Sequence, residues 1–280
     1  MNRQSGTYPT LKQAFWLLLV FFAITIAVGI IVELTASLTL HGRQTFAQKE
    51  EARFIAIGAV GYTLTLAWAI RKARAPLGEI FPFNHVSAGD IWPTVLSMFG
   101  LVIILEEAAN LASRALPSWI PEISNSLIGG FETLPWGVTA LVVVIGPIAE
   151  ELLFRGIVLR GFLSRYSTRK TVLASALLFG LVHVNPVQVA STAILGVLLG
   201  WWRTRTRSLI LPILAHSLYN ALALSTLGLP WVGLPNNAGV TEALMLHPLW
   251  FDVIGVLLFA AGILMSDRVS KTQIPARIGA

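Results

Sequence analysis

The chain has 280 residues, of which 55% are hydrophobic and 12% are charged, and its formal net charge is +6. A soluble domain carries about 25% charged residues, so this composition excludes an ordinary soluble protein and indicates an integral membrane protein. The chain has no cysteine, which excludes disulfides, thiolate nucleophiles and Cys-based zinc sites. Basic cytoplasmic loops explain the positive charge better than nucleic-acid binding, so we expect the lipid bilayer, and no nucleic acid, as a partner.

Eight apolar runs follow along the chain, and most are long enough to cross about 30 Å of hydrocarbon as helices. They occupy residues 15–38, 54–70, 92–111, 136–158, 171–184, 187–202, 209–227 and 249–265. The fifth and sixth runs are short and are separated by a turn at Asn185 and Pro186, so the alternative is one broken hairpin. The first run is too long for a signal peptide, and we expect a retained anchor. The sequence therefore predicts an all-α polytopic membrane protein with about eight transmembrane helices.

The distribution of basic residues predicts the orientation of the chain. With the N-terminus inside, fifteen of the 20 Lys and Arg residues fall in cytoplasmic segments and four fall in outer loops. This bias follows the positive-inside rule and predicts that both termini are cytoplasmic. We expect one membrane domain over residues 1–280, with short cytoplasmic tails at 1–14 and 266–280 and long outer loops at 113–135 and 228–248.

Ionisable and amide side chains interrupt the apolar runs in the second half of the chain. They are Glu150, Glu151, Arg155, His183, His216 and Asn220. A charged side chain at the bilayer centre costs about 2.5–3.5 kcal/mol on insertion scales, so each such residue is a candidate for function. The remaining histidines are His41, His85 and His247, which fall in predicted loops and are expected to be ordinary surface residues.

Helical spacing assigns different neighbours to the two adjacent glutamates. Glu151 and Arg155 are four residues apart and share a face, which predicts a charge-neutralising pair. Glu150 points about 100° away, toward a different neighbour, and stays available for chemistry. A purely structural pair that fastens helices together is the alternative. Glu106 and Glu107 form a second acidic pair, expected either to lie at the membrane interface or to reach into the cavity of the site.

The two membrane histidines have helical neighbours of their own. Phe179 lies one turn before His183, and Asn220 lies one turn after His216, so each pair shares a face. A carboxylate beside an imidazole can activate water, and a second imidazole with a carboxamide can donate hydrogen bonds to a developing oxyanion. Three helices bring these groups to similar depth, which favours hydrolysis of an amide bond over packing alone.

Other hydrolytic signatures are absent from the sequence. There is no Gly-x-Ser-Gly motif of a rhomboid-like serine protease and no His-Glu-x-x-His zinc motif. Asp90, Asp252 and Asp267 lie at span ends or in loops, which does not support a paired-aspartate intramembrane protease. A transporter would show internal repeats, and the sequence shows none.

Three motifs occur in order at these residues: EELLFR at 150–155, FGLVH at 179–183 and HSLYN at 216–220. Together they resemble the type II CAAX prenyl endopeptidases and their bacterial relatives, the CPBP or ABI family of intramembrane proteases. The resemblance covers residues 135–224, roughly a third of the chain. It implies an eight-helix intramembrane protease fold with its catalytic core helices at 136–227, and a bacterial-type member in the cytoplasmic membrane.

The resemblance also implies a role for each residue. Glu150 would activate the water with help from His183, and His216 with Asn220 would form the oxyanion site. The supporting residues would be Glu151, Arg155 and Phe179. The substrate would be a peptide or a lipidated peptide.

Two mechanisms and one non-catalytic alternative stay open. The family has long been described as metal-dependent, and Glu150, His183 and His216 could form a zinc site with an open position. We favour a glutamate-activated water without a cofactor, because two further donors suit an oxyanion better than a metal. The alternative from another class is a non-catalytic membrane protein, such as an immunity factor or a scaffold.

Overall fold

A computed structural model describes residues 7–39, 46–115, 136–183, 185–226 and 246–273. Within these ranges the chain is helical and forms no strand. In chain order the helices are α1 (Leu11–Thr39), α2 (Phe46–Ala73), α3 (Leu77–Ile80), α4 (Ala88–Ala115), α5 (Trp136–Leu163), α6 (Thr168–Leu181), α7 (Pro186–Thr206), α8 (Ile210–Thr226) and α9 (Leu249–Gln273). The predicted all-α class is confirmed.

Each of the eight predicted runs coincides with a helix, and the short helix α3 is an addition that the sequence did not predict. Helices α1, α2, α4, α5 and α9 are long and apolar enough to cross a membrane, and α8 is a shorter apolar helix. The protein is therefore an integral, polytopic membrane protein, and the number of eight crossings stays a prediction. The predicted outer loops and His41 lie largely or wholly outside the described residues.

Local sequence explains where two of these helices begin. At α1, Thr10 N–H donates to Gln13 Oε1 at 2.8 Å and Gln13 N–H donates to Thr10 Oγ1 at 3.2 Å, a reciprocal capping box. At α7, Asn185 Oδ1 accepts from Val187 N–H at 3.0 Å, and Pro186 occupies the first turn, where an N–H has no partner to lose. The predicted turn between α6 and α7 is thus confirmed, and the two helices pack against each other.

Two apolar clusters hold the helices together. The first joins α1, α2, α3, α5 and α6, and its buried members include Leu17, Ala69, Ile80, Phe154 and Phe179. The second joins α4, α7 and α8 around Met98, Leu199, Trp202 and Leu211. Many large apolar side chains on the outer faces stay exposed, as expected for helices that contact lipid.

Glycines bring α4 and α9 into close contact. A Cβ atom at Gly100 would overlap the backbone of Gly255 and Phe259, and one at Gly262 would overlap Ser97. Small residues of this kind let helix backbones approach closely in membranes, where van der Waals packing drives association. Helices α4 and α9 can therefore pack this closely only because these positions are glycine.

Helix α5 carries the EELLFR motif and is irregular. The segments Leu141–Ile145 and Leu152–Val158 are π-helical, and they flank the α-helical segment Gly146–Glu151. Short π-helical turns inside α-helices are rare and occur often at functional sites. The helix also continues past its predicted end at 158 to Leu163. Glu150 and Glu151 therefore lie at the junction of two helical geometries.

Candidate active site

Glu151 and Arg155 form the buried ion pair that their spacing predicts. Arg155 Nη1 lies 2.7 Å from Glu151 Oε1, and neither side chain is exposed. Arg155 Nη2 donates to the Gly196 carbonyl of α7 at 3.0 Å, and the guanidinium lies 4.5 Å from the centroid of the Phe179 ring. The pair therefore ties α5 to both α6 and α7.

His216 of α8 contacts both adjacent glutamates. Its Nδ1 lies 3.0 Å from Glu151 Oε1, and its Nε2 lies 3.7 Å from Glu150 Oε2. Glu150 points away from the Glu151–Arg155 pair, as its position on the helix predicts, but Glu151 reaches the same imidazole as well. An imidazole carries nitrogens at two separate ring positions, so two carboxylates that diverge by about 100° around a helix can both reach it.

The partners of the two imidazoles determine where their protons lie. A carboxylate or a carbonyl oxygen only accepts hydrogen bonds, so His216 donates its Nδ1 proton to Glu151. His183 likewise donates its Nδ1 proton to the Phe179 carbonyl at 3.1 Å. In the neutral form each ring therefore keeps the Nε2 lone pair available for chemistry.

His183 lies in the turn after α6 rather than inside a helix. The predicted run extended to residue 184, whereas α6 ends at Leu181. His183 is half-buried, and no hydrogen bond or ion pair joins it to Glu150 among the described residues. Phe179 packs edge-on against both His183 and His216, with ring centroids 5.2 Å and 5.5 Å away. The aromatic wall predicted for one histidine therefore serves both.

Asn220 reaches the irregular part of α5. Its Nδ2 donates to the Val142 carbonyl at 2.9 Å. That carbonyl is available because the Gly146 N–H donates to Leu141 instead, and Pro147 has no N–H to offer. One N–H of the Asn220 amide is thus used within the fold, which leaves the second for the predicted oxyanion role.

Tyr62 of α2 contacts the candidate site, although it was not predicted from the sequence. Its hydroxyl donates a short hydrogen bond to Glu150 Oε1, which leaves Glu150 Oε2 facing His216. The Glu150 side chain is 13% exposed, whereas that of Glu151 is fully buried. A single phenol in the apolar run at 54–70 was the available signal, but it does not reveal which helix it faces.

The segment that runs from α5 to α8 matches a known family. Residues 132–222 match the family model of type II CAAX prenyl endopeptidase, Rce1-like. This segment, about a third of the chain, is similar to that family and is called the Rce1-like domain below. This Rce1-like domain contains every site residue predicted from the sequence, and it supports a CAAX-type intramembrane endopeptidase in general. No curated protein and no solved structure matches the chain.

The residues of the Rce1-like domain do not fit the zinc site that the resemblance offered as an alternative. Glu150, His183 and His216 do not bring one ligand atom each within 4.8 Å of one another. The Nδ1 hydrogen bonds of His183 and His216 leave both Nε2 atoms free, as zinc ligands require, so the misfit lies in the separation of the three side chains alone. We therefore derive no step through a metal at these residues.

A different set of metal-type ligands meets outside the Rce1-like domain. Glu107, His247 and Asp252 each offer a ligand atom within 4.8 Å of the others. His247 was predicted to be an ordinary surface residue, and this prediction was wrong, because the residue is buried. Its Nδ1 atom lies 3.0 Å from Asp252 Oδ1, and its backbone N–H donates to Glu107. Asn110 also donates to Glu107, at 3.2 Å. Glu107 therefore links α4 to the residues that precede α9. His85, in contrast, is exposed as predicted.

Proposed function

We propose that the protein is an intramembrane endopeptidase in which Glu150 activates the attacking water. The observation that carries this proposal is the position of His216 between the two glutamates, with its Nε2 atom 3.7 Å from Glu150 Oε2. This separation exceeds a direct hydrogen bond, and a water lying beside the two atoms would contact both of them. Glu150 is also the more accessible of the two carboxylates.

In the proposed reaction, the water oxygen attacks the carbonyl carbon of the scissile peptide bond while Glu150 takes a water proton. The carbonyl π electrons move to its oxygen, and the resulting oxyanion accepts hydrogen bonds from the Asn220 amide and from His216. His216 contributes to this oxyanion site through an Nε2–H, which requires a proton on both ring nitrogens, with the Nδ1–H directed to Glu151. The oxyanion then re-forms the carbonyl as the carbon–nitrogen bond breaks, and Glu150 returns its proton to the leaving amine, directly or through the Nε2 atom of His183.

Tyr62 extends the set of residues predicted from the sequence. Its hydrogen bond to Glu150 Oε1 holds the carboxylate in one orientation and directs Oε2 toward His216. A base held in this way needs little reorganisation when the substrate arrives. We therefore include Tyr62 as a positioning residue for Glu150.

The substrate in this proposal is a peptide or lipidated peptide that reaches the site from the membrane. The protein would lie in the bacterial cytoplasmic membrane with both termini inside, in keeping with the positive-inside rule. The non-catalytic alternative, an immunity factor or scaffold that retains these residues, makes the opposite prediction for the experiment below.

The test is cleavage of a panel of membrane peptides by purified protein, compared between wild type, Glu150→Gln and Glu79→Gln. We expect Glu150→Gln to lower kcat by about 10²–10⁴-fold, the usual contribution of a general base. Glu79→Gln is the matched control, because its carboxylate is 61% exposed and pairs only with Arg160 among the described residues. Equal cleavage by Glu150→Gln and wild type would refute the proposed role of Glu150, whereas no cleavage by wild type would favour the non-catalytic alternative.

A chelator arm separates the two possible metal effects. It is run on wild type and on His247→Ala, because a cation held by the Glu107, His247 and Asp252 cluster could alter activity indirectly. Chelator sensitivity that disappears in His247→Ala would locate the cation at that cluster. Loss of activity in both proteins, restored in both by zinc, would show that the metal-free mechanism is wrong.

A further inference from the structure

A cavity of about 360 Å³ lies where α1 begins and where α2 and α5 end. Three of its lining residues are cationic, namely Lys72, Arg74 and Arg165. Three others are aromatic, namely Tyr8, Trp16 and Trp68, and Gln13 completes the lining. The described lining contains no carboxylate, so the cavity presents three positive charges without an acidic partner inside it. This composition favours an anionic ligand with an apolar part.

The walls of this N-terminal cavity are held in place by specific contacts. Arg165 Nη1 donates to the Thr7 carbonyl at 2.7 Å, which fastens the segment before α1 to the end of α5. The buried Pro9 packs directly on Gly161, where a Cβ atom would overlap it. Lys72 Nζ lies 5.6 Å from the centroid of the Trp68 ring. The three cations are exposed, but these contacts fix the positions of Arg165 and Lys72 at the mouth of the cavity.

Hydrogen-bond donors also face this cavity. The Tyr8 hydroxyl is buried without a hydrogen-bond partner among the described residues, and burial raises the pKa of Tyr8 to about 12, so it stays protonated. Gln13 Oε1 is engaged by the Thr10 N–H, which leaves the amide N–H groups of Gln13 as donors. The N-terminus of α1 adds the positive end of its helix dipole. These donors match the oxygen atoms of a phosphate group.

The cavity lies at a membrane surface. Three candidate spans have an end there: Leu11–Thr35 starts, while Glu51–Ala73 and Trp136–Leu163 finish, close to the lining residues. Tryptophan is enriched at membrane interfaces, and basic pockets between helix ends bind anionic headgroups. The excess of Lys and Arg predicts that this is the cytoplasmic side. A lipid of the surrounding leaflet can therefore place its phosphate in the cavity and its acyl chains beside α1 and α2.

We propose that this cavity binds the phosphate headgroup of an anionic phospholipid of the cytoplasmic leaflet. The shared chemistry is a phosphate ester, which a soluble phosphate could also supply. The proposal is independent of the chemistry at Glu150. Tyr62 and Lys72 both belong to α2 and are separated by ten residues, or about 15 Å along the helix. A lipid bound here would therefore contact the helix that orients the proposed base.

The test measures binding of short-chain phosphatidylglycerol and phosphatidylcholine to the full-length protein in a zwitterionic detergent by native mass spectrometry. The cavity variant is Lys72→Gln/Arg165→Gln, and the matched control is Arg169→Gln/Lys170→Gln, which removes the same charge at exposed positions outside the cavity. We expect phosphatidylglycerol binding to weaken by about tenfold or more in the cavity variant and by less than about threefold in the control.

Three results would overturn the proposal. Equal weakening in both double variants would mean diffuse attraction to basic residues, and equal binding of the two lipids to wild type would mean no anionic site. Complete displacement of the lipid by inorganic phosphate at equal concentration would indicate a soluble phosphate ligand instead. Arg165 also holds Thr7, so its substitution could disturb the segment before α1. Lys72→Gln is therefore measured alone as well, because the Lys72 ammonium lies over the Trp68 ring and holds no other segment.

Discussion

Arg155 offers the sharpest test of how this protein tolerates charge inside the membrane. The proposed change is Arg155→Met, which keeps a long apolar side chain and removes the guanidinium. In the structure that group pairs with Glu151 at 2.7 Å, donates to Gly196 at 3.0 Å and lies over the ring of Phe179. The change therefore leaves the Glu151 carboxylate buried without its opposite charge.

The magnitude follows from the burial of the pair. Removing one partner of a buried ion pair typically costs about 3–5 kcal/mol, because the remaining charge is uncompensated. The lost hydrogen bond to Gly196 and the lost contact with the Phe179 ring are part of this cost rather than additions to it. At about 1.4 kcal/mol per tenfold change, the unfolding equilibrium constant should rise by at least about a hundredfold.

Arg160→Met is the matched control in the same helix. Arg160 pairs with Glu79 at 3.1 Å, and the Glu79 side chain is 61% exposed. An exposed pair of this kind contributes about 0–1 kcal/mol. The assay is unfolding in mixed micelles by titration with dodecyl sulfate, followed by circular dichroism. Similar midpoints for Arg155→Met and Arg160→Met would refute the argument that the buried pair stabilises the helix junction.

Two further predictions concern α2 and α4. Tyr62→Phe removes a hydrogen bond to the Glu150 carboxylate, worth about 1.5–3 kcal/mol, so we expect kcat to fall by about tenfold to a hundredfold with KM little changed in steady-state kinetics. Unchanged kcat would remove Tyr62 from the site. Gly100→Val should destabilise the fold by about 1–3 kcal/mol in the same micelle titration, because α4 cannot approach Gly255 with a side chain present. Gly78→Ala is its control, since open space surrounds that position, and equal effects of the two changes would contradict the packing argument.

The positions of eight helices could be predicted because each contains an apolar run, whereas the four-residue helix α3 contains none. Their ends could not, since polar residues continue a helix as readily as they end it. Helix α9 runs to Gln273, well into the segment predicted as a tail, and α5 runs to Leu163. The sharp boundary at Asn185 was predictable, because a capping side chain followed by proline specifies a helix start locally.

Some contacts of the candidate site could be predicted from spacing within one helix, and others depend on how separate helices pack. The pairing of Glu151 with Arg155 follows from a spacing of four residues on one helix, and so does the shared face of His216 and Asn220. The contact of Tyr62 with Glu150 depends on how α2 is rotated against α5, which no spacing within either helix encodes.

The irregular geometry of α5 also depends on packing between helices, although one residue of its sequence indicates it. Pro147 has no N–H, so a carbonyl one turn earlier had to find another donor. The structure supplies Asn220 as that donor, from a residue 78 positions further along the chain. A carbonyl without a donor near Pro147 was therefore predictable, but its position and its partner were not, because an α-helix would free the Val143 carbonyl whereas Asn220 binds that of Val142.

The two adjacent glutamates provide the strongest test of which carboxylate is catalytic and which is structural. Glu150→Gln and Glu151→Gln are isosteric changes, yet their environments differ. Glu151 is fully buried and contacts both Arg155 and His216, whereas Glu150 is partly exposed and contacts Tyr62, which can also donate to an amide oxygen. We therefore expect Glu151→Gln to lose about 3–5 kcal/mol of stability, and Glu150→Gln to lose less than about 1 kcal/mol.

Activity per folded molecule completes the comparison. Glu150→Gln should fold and lose about 10²–10⁴-fold in kcat, because only the proposed base is lost. Glu151→Gln should be unstable, and its folded fraction should keep part of its activity, because Glu150 still faces the Nε2 atom of His216 although the Nδ1 atom has lost its carboxylate partner. Both quantities come from one preparation, with the folded fraction measured by circular dichroism and cleavage measured on the same sample. A stable, inactive Glu151→Gln beside an unstable, active Glu150→Gln would reverse the roles, and Glu151 would then be the base.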